Sequence, residues 1–146
     1  MANDPITVII DSDAIIAQGN ITDAHHKIAI QISRKLEELG AKVIYPSCIV
    51  LEATTLMHRW NKKNQNMRGL AVGTLSVMAD PMMIIEPVDQ QIIAGAAKYY
   101  NPKATRDDTT FDCAVAAVAD KYKADYIFSW DGFYKKHGFK LAKDLL

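Results

Sequence analysis

The sequence has few of the residues that punctuate or cross-link a chain: 2 cysteines, 5 prolines and 7 glycines in 146 residues. Cys48 and Cys113 stand far apart with no C-x-x-C spacing, which excludes a disulfide framework and a zinc knuckle and points to a reducing, cytoplasmic setting. So little glycine and proline excludes collagen-like and low-complexity chains. No run of about 18 apolar residues occurs, so no membrane association is expected, and the start Met1-Ala2-Asn3-Asp4-Pro5 lacks the basic and apolar segments of a leader. Neither H-x-x-H nor G-x-x-x-x-G-K-[ST] is present, so neither zinc nor a nucleotide cofactor is expected. Charge of one sign is also missing, with 17 Lys+Arg against 17 Asp+Glu. The site for any charged partner must therefore be local.

What is present is 49% apolar and 23% charged residues, enough for one globular domain over 1–146 with a sizeable core. The acids are lopsided, 13 Asp against 4 Glu, a bias toward the shorter carboxylate favoured at caps, turns and ligand shells.

The apolar run 6–10, bounded by Pro5 and Asp11-Ser12-Asp13, reads as a strand buried on both faces. Ile28, Ile32, Leu36 and Leu39 recur at helical spacing after Thr22 or Asp23 as cap, and Gly40 stops the helix. A second strand is expected over 42–45, then a helix capped by Ser47 that carries Leu51, Glu52, Leu56 and Trp60. A helix over about 65–78 should form a hairpin with it. A third strand over 82–85, a helix after Asp89, another after Asp108, a fourth strand over 126–129 and a short fifth over 139–142 complete the pattern. Strands alternating with helices predict an α/β fold with a central parallel sheet of four or five strands.

In such sheets ligands bind beyond the carboxyl ends of the strands. Asp11 ends the first strand, Asp131 follows the fourth, Asp112 lies in the first turn of its helix and Glu52 sits inside a mostly apolar one. Each has a plain alternative: a helix-dipole partner for Asp112, a pair with Arg59 for Glu52, a cap for Asp13. Four acids in one pocket would raise one another's pKa unless a cation intervened, and an all-oxygen shell suits Mg²⁺ or Mn²⁺.

The segments V-I-I-D-S-D at 8–13, V-L-E-A at 50–53, F-D-C-A-V-A-A-V-A at 111–119 and I-F-S-W-D at 127–131 together resemble the PIN-domain nucleases. In compact length the chain looks like their VapC-type toxin ribonucleases. The resemblance runs from about Thr7 to Ala142. It implies a three-layer α/β/α sandwich, with Asp11, Glu52, Asp112 and Asp131 as catalytic residues and ligands of Mg²⁺ or Mn²⁺, and RNA cut by water attack. Ser12 and Ser129 match the hydroxyl residues near the first and last acids and are expected at the substrate. Asp13 adds an acid where the family commonly has Asn or Ser, and Phe133 and Tyr134 fall at the second and third positions after Asp131, where the family places one aromatic at the third.

Arg59, Lys62 and Lys63 surround Trp60 in a stretch without acids, 53–79, and are expected to track a phosphate backbone or a protein partner. The expected partners are an RNA substrate, an antitoxin protein and a second copy in a homodimer. Two other readings compete. A haloacid-dehalogenase-type phosphatase would use Asp11 as nucleophile and Asp13 as acid/base, leaving Glu52 and Asp131 idle. A non-catalytic PIN-like RNA-binding module would gain nothing from clustered carboxylates.

Overall fold

The computed structural model describes residues 4–62 and 65–146. Its centre is β1 (Thr7–Ile10), in which Val8, Ile9 and Ile10 are all buried, as expected of a strand covered on both faces. Around it lie β2 (Lys42–Pro46), β3 (Ile84–Glu86) and β4 (Tyr126–Phe128), all parallel, in the order β3-β2-β1-β4. The register places Ile84, Ile44, Ile9 and Ile127 in one row across the four strands. The predicted fifth strand shrinks to a single bridge, Ile127 to Leu141. Turn hydrogen bonds on either side, Phe139 N–H to Tyr134 O and Asp144 N–H to Leu141 O, take the donors a longer ladder would need.

The helices are α1 (Ser12–Gly19), α2 (His26–Glu38), α3 (Ser47–Arg59), α4 (Met67–Met78), α5 (Gln90–Ala97), α6 (Thr110–Tyr122) and α7 (Gly132–Lys136). The pattern reading missed α1, whose eight residues include a β-branched Ile pair and a terminal glycine. It forms because Asp11 caps it, accepting Ser12 N–H at 2.7 Å, and because Ala14 to Ala17 are buried in the core. Burial here overrides weak propensity.

Three caps differ from expectation. α2 starts at His26 rather than after Thr22 or Asp23, because Asn20 and Asp23 instead accept backbone bonds within the preceding turns. Ser47 is already helical and its hydroxyl accepts Val88 N–H at 3.0 Å. α6 is capped by Thr109, one residue after Asp108. Gly40 does end α2, at φ +61°, a backbone region that glycine enters without strain. Among the described residues no helix is long and apolar enough to cross a membrane.

α3 and α4 pack as the expected hairpin, and α6 is buried almost all round, from Asp112 to Ala119. It packs closely on α5, where a Cβ at Gly95 would meet the Ala117 Cβ at 3.0 Å. Buried Glu86, at the end of β3, takes a hydrogen bond from Lys121 Nζ at 2.5 Å and another from the Tyr122 hydroxyl. Burial pushes its pKa up, but these bonds and the Lys121 charge outweigh that and lower it, so this acid is neutralised within the fold.

The chain runs outward from β1 to β2 to β3 and then returns to place β4 on the other side of β1. The connections leaving β1 and β4 therefore diverge at their carboxyl ends, and the crevice between them is where open α/β sheets bind ligands. Asp11 leaves β1 at that point, and Ser129, Trp130 and Asp131 leave β4.

Candidate active site

Few polar side chains are buried in this protein: Asp11, Ser12, Thr54, Glu86, Asp112 and Ser129 among the described residues. Thr54 bonds back to Val50 O at 2.9 Å and Glu86 is paired with Lys121, so both are accounted for locally. The other four meet at the crevice.

Asp11 is 4% exposed and turns both oxygens to donors. Oδ1 accepts Ser12 N–H, while Oδ2 accepts the Tyr134 hydroxyl at 2.6 Å and lies 3.3 Å from Ser129 Oγ. Asp112 is placed by the start of α6, where its Oδ2 accepts Thr109 N–H at 2.9 Å in a capping box, and its Oδ1 lies 3.5 Å from the Tyr134 hydroxyl. The cap reading and the site reading of Asp112 thus hold together, one oxygen serving each. Asp131 caps α7, accepting Phe133 N–H at 2.9 Å, and donates its own N–H to Ser129 Oγ at 3.0 Å. Glu52 stands in the second turn of α3, half-buried, close enough for Ser12 and the Asp11 charge to act on its carboxyl.

Burial, and then charge, acts on these groups. Burial and then the neighbouring acids Asp11, Asp131 and Glu52 push Asp112 up to about 7, although the Thr109 bond lowers it. Burial raises Asp11 too, and the Asp131 charge adds to it against the bonds from Tyr134, Ser12 and Ser129. Burial and the Asp11 charge raise Glu52. The same pressures lift the Cys48 thiol, one helical turn before Glu52, to about 11.

Asp13 has a role the pattern reading did not foresee. An extended segment would point Asp11 and Asp13 apart, but α1 is a helix and turns both toward Ser129. Asp13 Oδ2 accepts Ser129 Oγ–H at 2.9 Å and Trp130 N–H at 2.8 Å, clamping the loop that carries Asp131. Burial, then the Asp11 charge, push it up to about 7. Committed to that loop, Asp13 is badly placed for the acid/base role the phosphatase reading requires.

In the sequence Tyr134 is one of two aromatics after Asp131, and the structure makes it central. It is fully buried and its hydroxyl lies between Asp11 and Asp112. Its position three residues after Asp131 on a helix was the available signal, since i and i+3 share a face. Tyr134→Phe should leave the fold intact and weaken Mn²⁺ binding about 10- to 100-fold, the usual cost of losing a ligand's hydrogen-bond partner. Isothermal calorimetry with Mn²⁺ checks this, and an unchanged affinity would make the phenol a packing group only.

Other expectations fare differently. Ser12 and Ser129 are in the cluster, but Ser129 is committed to Asp11, Asp13 and Asp131 and so orients carboxylates. Arg59 and Lys62 are not brought to the acids. Arg59 is seven residues beyond Glu52, roughly 10 Å along the helix axis, and Lys62 lines a separate hollow with Asn20, Thr22 and Trp60. A continuous helix carries them away from the sheet edge. Lys63 lies outside the described residues.

Among the described residues, no three His, Cys, Asp or Glu side chains are already drawn together tightly enough to hold an ion. The chemistry of the donor set nevertheless suits a hard divalent cation. All donors are oxygens, burial and then neighbouring negative charge raise the pKa values of Asp11, Glu52 and Asp112, and beside them one buried oxygen, Asp13 Oδ1, has no hydrogen-bond partner.

Neither family models nor curated proteins give a significant match to the sequence. Solved structures do. VapC20 of Mycobacterium tuberculosis, a sarcin-ricin loop cleaving toxin, is similar with a TM-score of 0.75 at 19% identity, over 90% of this chain and 95% of that one. FitAcB from Neisseria gonorrhoeae is similar with a TM-score of 0.64 at 17% identity, over 95% and 99%. With its parallel four-stranded sheet and flanking helices, the chain has the PIN-like α/β/α fold.

Proposed function

We propose that the protein is a divalent-metal-dependent endoribonuclease, the toxin of a toxin–antitoxin pair. The observation that supports this reading is that Asp11 and Asp112 flank the Tyr134 hydroxyl at the crevice where the chain switches from one side of β1 to the other, with the charges of Asp131 and Glu52 acting on Asp112. The likeness in fold to a toxin that cleaves RNA supports it.

On this reading the four acids hold Mg²⁺ or Mn²⁺, which when bound supplies a water of lowered pKa and neutralises charge on the phosphodiester. The chain's own part is positioning. The Tyr134 hydroxyl and Ser12 N–H fix the two oxygens of Asp11, the cap of α6 fixes Asp112, and Asp13 with Ser129 fixes the loop of Asp131. Burial of Asp11, Asp112 and Ser129 keeps bulk water from the rear of the site. A toxin of this kind acts in the cytoplasm and is held by an antitoxin protein. The homodimer belongs to the same reading and is supported by exposed Val72 and Leu75, neighbours on one face of α4, apolar groups of the sort that subunits cover.

Incubation of the purified protein with mixed RNA and Mn²⁺ tests the reading. Cleavage should occur, EDTA should abolish it, and p-nitrophenyl phosphate should not turn over. Cleavage persisting in EDTA, or phosphatase turnover dependent on Asp11 and Asp13 but indifferent to Glu52, would overturn it.

A further inference from the structure

The cationic stretch that the sequence offers for RNA lies away from the acids, which leaves open what receives the strand beside them. A hollow of about 380 Å³ lies between the loop joining α5 to α6 and helix α7, the two segments that adjoin Asp112 and Asp131. Its wall includes Cys113 and Phe133. Cys113 follows Asp112 in the chain, and Phe133 donates its N–H to Asp131. Its lining thus includes the chain neighbour of Asp112 and the residue whose backbone holds Asp131 in place.

Its chemistry is that of a single nucleotide. Lys103 and Lys136 stand on its rim, both exposed, against one carboxylate, Asp108, so the lining is net positive. The floor is an aromatic wall in which His137 packs on Tyr99 at 5.3 Å and on Phe133 at 4.6 Å between ring centroids. Tyr100 on the same wall is 56% exposed and pairs with no other aromatic ring among the described residues, so part of its ring is open to a ligand. Positive charge for the backbone beside a free aromatic face is how proteins hold single strands. The volume lies within the range of small-molecule pockets, roughly 300–1,000 Å³.

Resting on the ribonuclease reading, we infer that this hollow receives the nucleotide of a single-stranded RNA next to the cleaved phosphodiester. Lys103 and Lys136 neutralise its flanking phosphates, its base stacks on Tyr100, and Asp108 is the acceptor for a base amino group. The strand thus crosses the α5–α6 loop and α7 rather than the connection between α3 and α4.

The test is fluorescence anisotropy of a labelled, unstructured oligoribonucleotide with the full chain in EDTA, over a salt series, followed by cleavage kinetics in Mn²⁺. Lys103→Ala with Lys136→Ala should reduce the slope of log K against log salt by about 1.4, two single-strand phosphate contacts at about 0.7 each. Tyr100→Ala should weaken binding about fivefold or more and leave the slope alone, as loss of stacking without loss of charge does. In Mn²⁺ the double lysine variant should raise KM with kcat nearly unchanged, the sign of lost binding shared by ground and transition state. Unchanged affinity and slope in the double variant would overturn the inference, as would a slope lost only on Lys62→Ala. RNA binding that needs Lys103 and Lys136 but is never followed by cleavage would keep the hollow and remove the ribonuclease reading. Cleavage with a KM indifferent to these lysines would do the reverse.

Discussion

Asp112→Asn and Asp11→Asn should each lower metal-dependent RNA cleavage by at least about a thousandfold while the protein stays folded. Asn has nearly the shape of Asp, and at position 112 its side-chain oxygen can still accept Thr109 N–H, so the cap of α6 survives. What is lost, on the proposed reading, is charge that would hold a divalent cation against phosphate. A metal's contribution to a phosphodiester transition state is several kcal/mol, and about 4 kcal/mol corresponds to three powers of ten in rate. Initial rates on a fluorogenic RNA in Mn²⁺, with circular dichroism as the fold control, give the answer. Activity within tenfold of wild type in both variants would mean these carboxylates serve only as caps.

The same variants should move stability in the opposite direction. Burial and neighbouring negative charge raise Asp112 from its ordinary value of 3.8 to about 7. Because the folded state binds this proton more tightly than the unfolded state, the metal-free protein loses stability as pH rises from about 4 to about 7, and the cost is complete above that range. Asp112→Asn removes its share of the cost. Without metal the variant should therefore melt higher than wild type at pH 7.5 by a few degrees, on the order of 1 kcal/mol, with the gap closing toward pH 4.5. Wild type should gain about 2.7 kcal/mol from Mn²⁺ at a hundredfold excess over its dissociation constant, and the variant less. Melting curves of both proteins at the two pH values, with EDTA and with Mn²⁺, separate the effects. If the variant melts lower without metal at pH 7.5 and gains as much from Mn²⁺, the acids do not share one ion.

The sequence by itself determined the layers and the order of the acids. The run 6–10 has the length and β-branching of a strand covered on both faces, the spacing of Ile28, Ile32 and Leu36 is that of an amphipathic helix, and Gly40 is placed to end it. Asp11 and Asp131 announced themselves by following buried strands, because a parallel sheet puts its ligand crevice at those ends. These are properties of neighbouring residues, and neighbouring residues can be read. Tertiary structure alone decided the rest. Helix α1 exists because core burial outweighs the poor propensity of its residues, and only as a helix can it turn Asp13 toward Ser129, 116 residues away along the chain. The Tyr134 hydroxyl meets Asp11 across 123 residues for the same reason. Where cationic side chains stand relative to the acids was likewise decided in three dimensions. Arg59 and Lys62 share a helix and its end with Glu52 yet are carried off by its rise, while Lys103 and Lys136, 33 residues apart and unremarkable in the sequence, come to line one hollow between the loop before α6 and α7.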